Sequence, residues 1–344
     1  MTRDDIIYHI SKISHFYDGK KVLEIDDLTI EQGSITGLIG PNGSGKTTLL
    51  RLLAFIEKPS SGQIFYKGTP EFPFSPTIRS KVTLLTQKPY LLKRTVFENI
   101  AYGLKIRKDT AQLEKRIEKA LDNVGLDYQD FAQRKSHQLS GGEAQRVAMA
   151  ARLILKPEVL LLDEPTASVD TESAKLIRKA SLKARDVLGT TLVIASHDLQ
   201  WLYSISDHQL SLYKGNIFAT GMENIIPGPF ENGDNNTRVI KRLDNHQTIV
   251  LDSTEKKECT TAVIKKRDIS IEHGKSVNID THNQLSGCIA SMLLEGKRGD
   301  IMVTVIVHDF SFVLRVTPDQ ISRLNLYPGK HVILKFNINS VEWV

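Results

Sequence analysis

Apolar and polar positions along the chain fall into two regimes. In the first, short apolar runs alternate with stretches of helical spacing. Val22, Ile25, Leu28 and Ile30 are interspersed with polar residues, and the apolar stretch Ile35–Ile39 follows. Val159–Leu162 and Leu192–Ala195 are unbroken apolar runs bounded by polar residues, as expected of strands buried on both faces. Gln63–Tyr66 and Val82–Leu85 are further short strands. Leu49–Ile56 is helical, and Leu113, Ile117, Ala120, Leu121 and Val124 mark one face of another helix. Strands alternating with helices predict a mostly parallel α/β sheet.

The second regime begins after residues 227–236, where PGPFENGDNN has the composition of a loop or linker. Beyond it the period shortens to two. Val303, Val305 and Val307 alternate with Thr304 and Ile306, and Val332, Leu334 and Phe336 alternate with Ile333 and Lys335. Turn signals at GKRGD (296–300) and YPGK (327–330) separate these runs, and only Pro318–Leu324 reads as a helical turn. The pattern predicts an α/β domain over residues 1–230 and a small all-β domain, sandwich or barrel, over 231–344.

Composition narrows this picture. A length of 344 residues suits two domains, and 40% apolar with 25% charged residues is that of a soluble globular chain. The net charge of +5 is mild, and residues 231–344 are nearly balanced. The basic cluster Lys265-Lys266-Arg267 sits beside Asp268 and Glu272 and reads as a solvated face, so no nucleic-acid partner is expected. Two cysteines, Cys259 and Cys288, in no metal-ligand spacing fit a reducing compartment. The start MTRDDIIYHI is not a signal peptide, and no apolar window approaches the ~18–20 residues of a membrane span. The expectation is a cytosolic chain that works at a membrane only if a partner holds it there.

Three segments carry chemistry. Gly40-Pro41-Asn42-Gly43-Ser44-Gly45-Lys46-Thr47 matches GxxxxGK[ST] between a predicted strand and a predicted helix. Its glycines let backbone N–H groups wrap phosphates, Lys46 reaches the β- and γ-phosphates, and the Thr47 hydroxyl suits Mg²⁺. The run Leu160-Leu161-Leu162 ends in Asp163-Glu164. Asp163 at the carboxyl end of a buried strand can hold the Mg²⁺ hydration shell, and Glu164 can polarise an attacking water; a solvated acidic turn is the plainer alternative. Leu139-Ser140-Gly141-Gly142-Glu143 opens a helix running to about Leu155, with Ser140 and Glu143 spaced as a capping box.

Taken in order with Gln87 after Val82–Leu85, Ala167-Ser168-Val169-Asp170 after the acidic pair, and His197 after Leu192–Ala195, these segments resemble the ATP-binding cassette of ABC transporters over about residues 5–225. The resemblance implies ATP and Mg²⁺ as ligands and a hydrolytic activity coupled to transport. It implies a P-loop of Gly40 to Thr48, and an adenine-stacking aromatic at Tyr17. Gln87 would join Thr47 and Asp163 at Mg²⁺ and sense the permease, and His197 would bond the γ-phosphate. Ser140, Gly141 and Gly142 would bind ATP held by a second copy, and Asp170 would couple the two sites, so a homodimer is expected. Glu143 stands where many members carry Gln. Residues 89–138 would form a helical subdomain, with Pro89–Leu92 and Thr95–Tyr102 touching the permease.

Residues 282–344 resemble the small OB-like barrel that follows the cassettes of molybdate- and tungstate-type importers, on Asn283, Gly287, Leu324–Gly329 and Val332–Phe336. Residues 234–280 look like a degenerate first half of it. Leu84–Lys105 and residues 165–170 look most like the tungstate branch. The resemblance implies a peripheral subunit on the cytoplasmic face of the cell membrane, with permease subunits and, indirectly, an extracytoplasmic substrate-binding protein as partners. Asn283, Ser286 and Lys335 are candidate oxyanion ligands. Sugar, polyamine or sulfate import is the alternative, and a soluble non-transport ATPase of the same family a further one.

Overall fold

The computed structural model describes residues 5–167, 169–218, 224–233, 237–243, 247–254, 261–272, 281–295 and 299–343. Ser168, Cys259 and residues 234–236 of the turn-rich break lie outside them. Two compact units divide the chain, Met1–Ala219 and Thr220–Val344. The division falls earlier than the composition break because Asn224–Pro227 is already a strand of the second unit, paired with Thr261–Ile264.

The first unit runs β1 (Ile6–Tyr17), β2 (Lys20–Glu31), β3 (Ile35–Ile39), α1 (Lys46–Leu53), β4 (Ser61–Tyr66), β5 (Thr69–Pro70), α2 (Pro76–Arg79), β6 (Val82–Leu85), α3 (Val96–Ile106), α4 (Leu113–Asp122), α5 (Tyr128–Phe131), α6 (Gly141–Leu153), β7 (Val159–Asp163), α7 (Thr171–Leu188), β8 (Thr191–Ala195), α8 (Leu199–Ile205), β9 (His208–Tyr213) and β10 (Asn216–Phe218). One sheet has the order β10-β9-β3-β8-β7-β6 and is parallel except at its edge strand β10. A second, antiparallel sheet has the order β2-β1-β4-β5. Every residue of β3, β7 and β8 is buried, which explains their lack of alternation. The leucines of α1 share one core with Ile10, Ile13 and Leu23 of the antiparallel sheet and with Leu161 and Val193 of the parallel one. The helix that begins at Lys46 is therefore fixed from both sides.

Register sets the position of the site. Leu38 of β3 lies opposite Ala195 of β8, Ala195 opposite Asp163 of β7, and Leu162 opposite Leu85 of β6. Four neighbouring strands thus end level, and the segments that follow them emerge along one carboxyl edge, where open α/β sheets bind ligands. Helices α3, α4 and α7 pack against α6. Capping boxes start α3 at Thr95 with Glu98 and α6 at Ser140 with Glu143.

The second unit runs β11 (Asn224–Pro227), β12 (Glu231–Asn232), β13 (Arg238–Arg242), β14 (Thr248–Asp252), β15 (Thr261–Ile264), β16 (Ser270–Glu272), β17 (His282–Glu295), β18 (Asp300–Val307), β19 (Phe310–Val316), α9 (Pro318–Leu324), β20 (His331–Asn337) and β21 (Glu342–Trp343). Its strands form sheets of order β11-β15-β21, β12-β13-β14 and β16-β20-β17-β18-β19. The period-two expectation is met: Val303, Val305, Val307, Val332, Leu334 and Phe336 are all buried in one core, while Ile306 faces outward at 40% exposure.

Candidate active site

The loop from Gly40 to Gly45 joins β3 to α1. Gly40 has φ 155° and a Cβ there would lie 2.1 Å from the Leu212 carbonyl oxygen, so no larger residue fits. Gly45 has φ 107°, and a Cβ would meet Leu23 Cδ2 at 2.6 Å. The Lys46 ammonium turns back into the loop, donating to the carbonyls of Gly40 at 2.6 Å and Pro41 at 3.1 Å. It is buried, and burial lowers its pKa from the usual lysine value while Glu164 and Asp163 oppose the shift. Two carbonyls of the loop thus hold the cation, a place that a triphosphate could take over.

Thr47 Oγ1 donates to Asp163 Oδ2 at 2.8 Å, so the first turn of α1 and the end of β7 meet in one hydroxyl–carboxylate pair. Glu164 is buried, and its N–H bonds the Ala195 carbonyl at 2.9 Å. Its Oε2 accepts the His197 N–H at 3.1 Å, while its Oε1 is buried with no aligned hydrogen bond. His197 Nε2 lies 3.1 Å from that oxygen but bonds the Asn42 side-chain oxygen at 3.0 Å. The structure thus brings Asn42, Lys46, Thr47, Asp163, Glu164 and His197 together. Ser44 and Thr48 are buried beside Lys46, with Pro41 and Gly43 in the same loop. Gln87 is exposed beyond the end of β6, and none of these hydrogen bonds reaches it.

Ser140 caps α6 as expected: Glu143 N–H bonds Ser140 Oγ at 3.3 Å and Ser140 N–H bonds Glu143 Oε2 at 2.8 Å. Ser140 and Gly141 are exposed, whereas Gly142 is buried against α7. A Cβ on Gly142 would come within 2.5 Å of Ser173 Oγ and 2.7 Å of Asp170 Oδ2. Asp170 caps α7, accepting from the Ser173 amide and hydroxyl at 2.8 Å each, and these bonds hold its carboxyl below the usual carboxylate range. Gly142 therefore lets the head of α6 pack directly on the Asp170 cap of α7. A residue beyond those singled out in the sequence links the parts: Gln145, 1% exposed, spans from Thr86 O to Pro165 O at 3.4 Å each through Nε2. A polar residue on the buried face of α6 is the only signal that could have marked it.

Tyr17 ends β1, 39% exposed, with its hydroxyl donating to Glu57 Oε2. The three oxyanion candidates do not converge. Asn283 is buried, and its amide is engaged by β14, accepting from Val250 N–H at 2.7 Å and donating to Val250 O at 2.8 Å. Ser286 is exposed, and Lys335 Nζ bonds Glu272 Oε1 at 3.2 Å. Lys335 lies opposite Gln284, so Lys335 and Ser286 share one face of the sheet and Asn283 is on the other. Asn283 is a strand tie, not a ligand. A groove of about 520 Å³ between α4, α7 and the end of α6 is lined by none of the residues with expected roles.

A family model described as ABC transporter matches residues 23–167. The chain is 39% identical over 209 residues to the tungstate uptake system ATP-binding protein TupC of Peptoclostridium acidaminophilum, covering 60% of this chain and 95% of that protein. It is 35% identical over 282 residues to the spermidine/putrescine import ATP-binding protein PotA of Salmonella typhimurium, covering 78% and 72% respectively. A solved ATP-binding cassette, dimeric in a post-hydrolysis state with ADP and Pi, is similar at 25% identity and TM-score 0.57 over 61% of this chain and 96% of that one.

Proposed function

Because this chain belongs to the ABC transporter family as an ATP-binding, ATP-hydrolysing subunit, we propose that it drives import of an oxyanion, tungstate or molybdate, through a separate membrane permease. The observation that carries the catalytic part is the linked set Asn42, Lys46, Thr47, Asp163, Glu164 and His197 at the carboxyl edge of the parallel sheet. ATP is the substrate, with its triphosphate in the Gly40–Thr48 loop and Lys46 transferred from the loop carbonyls to the phosphates. Thr47 Oγ1 and Asp163 Oδ2, already in contact, are hard oxygen donors that fit Mg²⁺. The ion would neutralise charge on the phosphates. Glu164 Oε1 accepts the proton of the attacking water, a general-base contribution of roughly 10²–10⁴-fold. His197, released from Asn42, donates to the γ-phosphate, and Gln87 closes toward the site from the end of β6. Ser140, Gly141 and Gly142 of a second copy complete the phosphate cradle, so the working unit is a homodimer. No helix among the described residues is long and apolar enough to cross a membrane, so the pore is assigned to partner permease subunits.

The oxyanion reading rests on the likeness to TupC. A second reading, polyamine import, is favoured by a specific observation: the PotA alignment, at 282 residues, is too long to fit within Met1–Ala219 and so reaches into the second unit. The TupC alignment, at 209 residues and 95% of that protein, is no longer than Met1–Ala219. We assign the second unit a regulatory or dimerisation role. Reconstitution with the permease in proteoliposomes, supplied with labelled tungstate, molybdate or spermidine, separates the readings. ATP-dependent uptake of either oxyanion supports the first, and uptake of spermidine alone replaces it with the second.

A further inference from the structure

Tyr17 is held by side chains that the phosphate chemistry does not use. Its hydroxyl donates to Glu57 Oε2, and Glu57 Oε1 accepts from Arg51 Nη1 at 3.2 Å. Arg51 belongs to α1, the helix that opens at Lys46, and lies about 7–8 Å along its axis from that lysine. Behind Tyr17 sits His15, 7% exposed, with its ring edge-on to the tyrosine at 4.7 Å and 88°. Neither nitrogen of His15 has a hydrogen-bond partner among the described residues, and Nε2 stands 3.7 Å from Glu57 Oε2. The neighbouring Phe16 N–H bonds Ser60 Oγ at 3.1 Å, tying the same end of β1 to the segment after α1. Burial and Glu57 both raise the Tyr17 hydroxyl's pKa, so it remains a donor.

An exposed tyrosine with nothing at its hydroxyl would lose rotamer freedom on stacking against a base. Here that freedom is already removed, and the anchor is the helix that carries the phosphate loop. We propose that His15, Arg51 and Glu57 are positioning residues for the nucleotide base: they set the Tyr17 ring at a fixed distance from the phosphate site. This rests on the reading that Tyr17 stacks on adenine.

The test compares two ligands on the purified full chain by titration calorimetry, Mg·ATP and Mg·tripolyphosphate, which keeps the phosphates and lacks the base. Glu57→Ala weakens ATP roughly 3- to 10-fold, the cost of one side chain left to be ordered, and leaves tripolyphosphate unchanged. Tyr17→Phe, which removes only the hydroxyl, does the same, and the double variant is no weaker than the worse single one. Glu57→Gln, which keeps an acceptor, restores most of the affinity. His15→Ala weakens ATP alone, and His15→Phe, which keeps a ring, does not. Equal losses for both ligands, or losses that multiply in the double variant, overturn the proposal. Tyr17→Ala separates the failures. If it leaves the ratio of the two affinities unchanged, the stacking reading itself falls; if it collapses that ratio while Glu57→Ala does not, only the positioning role falls.

Discussion

Glu164 occupies the left-handed region with φ 47°, a conformation that costs a non-glycine residue about 1 kcal/mol or more. The turn is held by its N–H on the Ala195 carbonyl, and its carboxylate accepts the His197 N–H. Glu164→Gln keeps the shape and removes the base. It is expected to bind ATP as the native chain does, lower turnover by about 10²–10⁴-fold, and accumulate an ATP-bound dimer. Single-turnover hydrolysis with gel filtration checks this; near-native turnover would place the base elsewhere. Lys46 offers a pH test. Its pKa is lowered by burial in the free protein, and bound triphosphate favours the charged form, so binding takes up a proton once the pH passes that lowered pKa. Affinity for ATP is expected to decline on the alkaline side before the ordinary lysine value of 10.5, with proton uptake visible as a buffer-dependent binding enthalpy. At this scale the phosphate loop, the acidic pair and the Ser140 cap were legible, because their chemistry depends on near neighbours in sequence. Gln145 and Glu57 were not, since their partners Thr86 and Tyr17 are brought to them only by the folded chain. Asn283 misled for the converse reason: its type suited a ligand, and only the structure shows its amide consumed by Val250.

Elements were read well where burial imposes a period. β7 and β8 are apolar but for Asp163 and Thr191 at their ends because both faces are covered, and β18 and β20 alternate because one face is. Ends were read less well. The helix expected over Leu49–Ile56 begins at Lys46 and stops at Leu53, because the phosphate loop supplies its start and Phe55 turns to φ 53°. Likewise α6 stops at Leu153, two residues short of the expected end, before Lys156 turns to φ 50° ahead of Pro157. Among the expected permease-facing residues, Tyr90 is 79% and Tyr102 45% exposed, and the second lies on α3. That helix starts at Thr95, whose Oγ1 accepts the Glu98 amide at 3.1 Å. Thr95→Ala removes the cap and should cost about 1 kcal/mol, a fall of about 2–4 °C in melting temperature for a unit of this size. Scanning calorimetry reads the shift. An unchanged melting temperature would mean that α3 is held by packing on α6 alone.

At the level of the whole chain, each unit has its own apolar core, one built around α1 and the other around β17–β20. Every residue proposed to act on ATP lies in Met1–Ala219. A chain ending at Ala219 is therefore expected to fold and bind ATP within about twofold of the full protein, and the full protein to melt in two transitions. Circular dichroism and calorimetry test both, and an unfolded cassette would make the second unit part of its stability. The α/β and all-β halves were legible from the change of hydrophobic period. Their junction was not, because β11 precedes the turn-rich break in sequence yet pairs with β15 of the second unit. Ser140 and Gly141 stand exposed at the head of α6, beside the close packing of Gly142 on Asp170. If that surface serves a second molecule's phosphates, no single chain is an enzyme. Hydrolysis in dilute solution then follows the square of the protein concentration, and a cell that halves its supply of this subunit loses more than half of its transport.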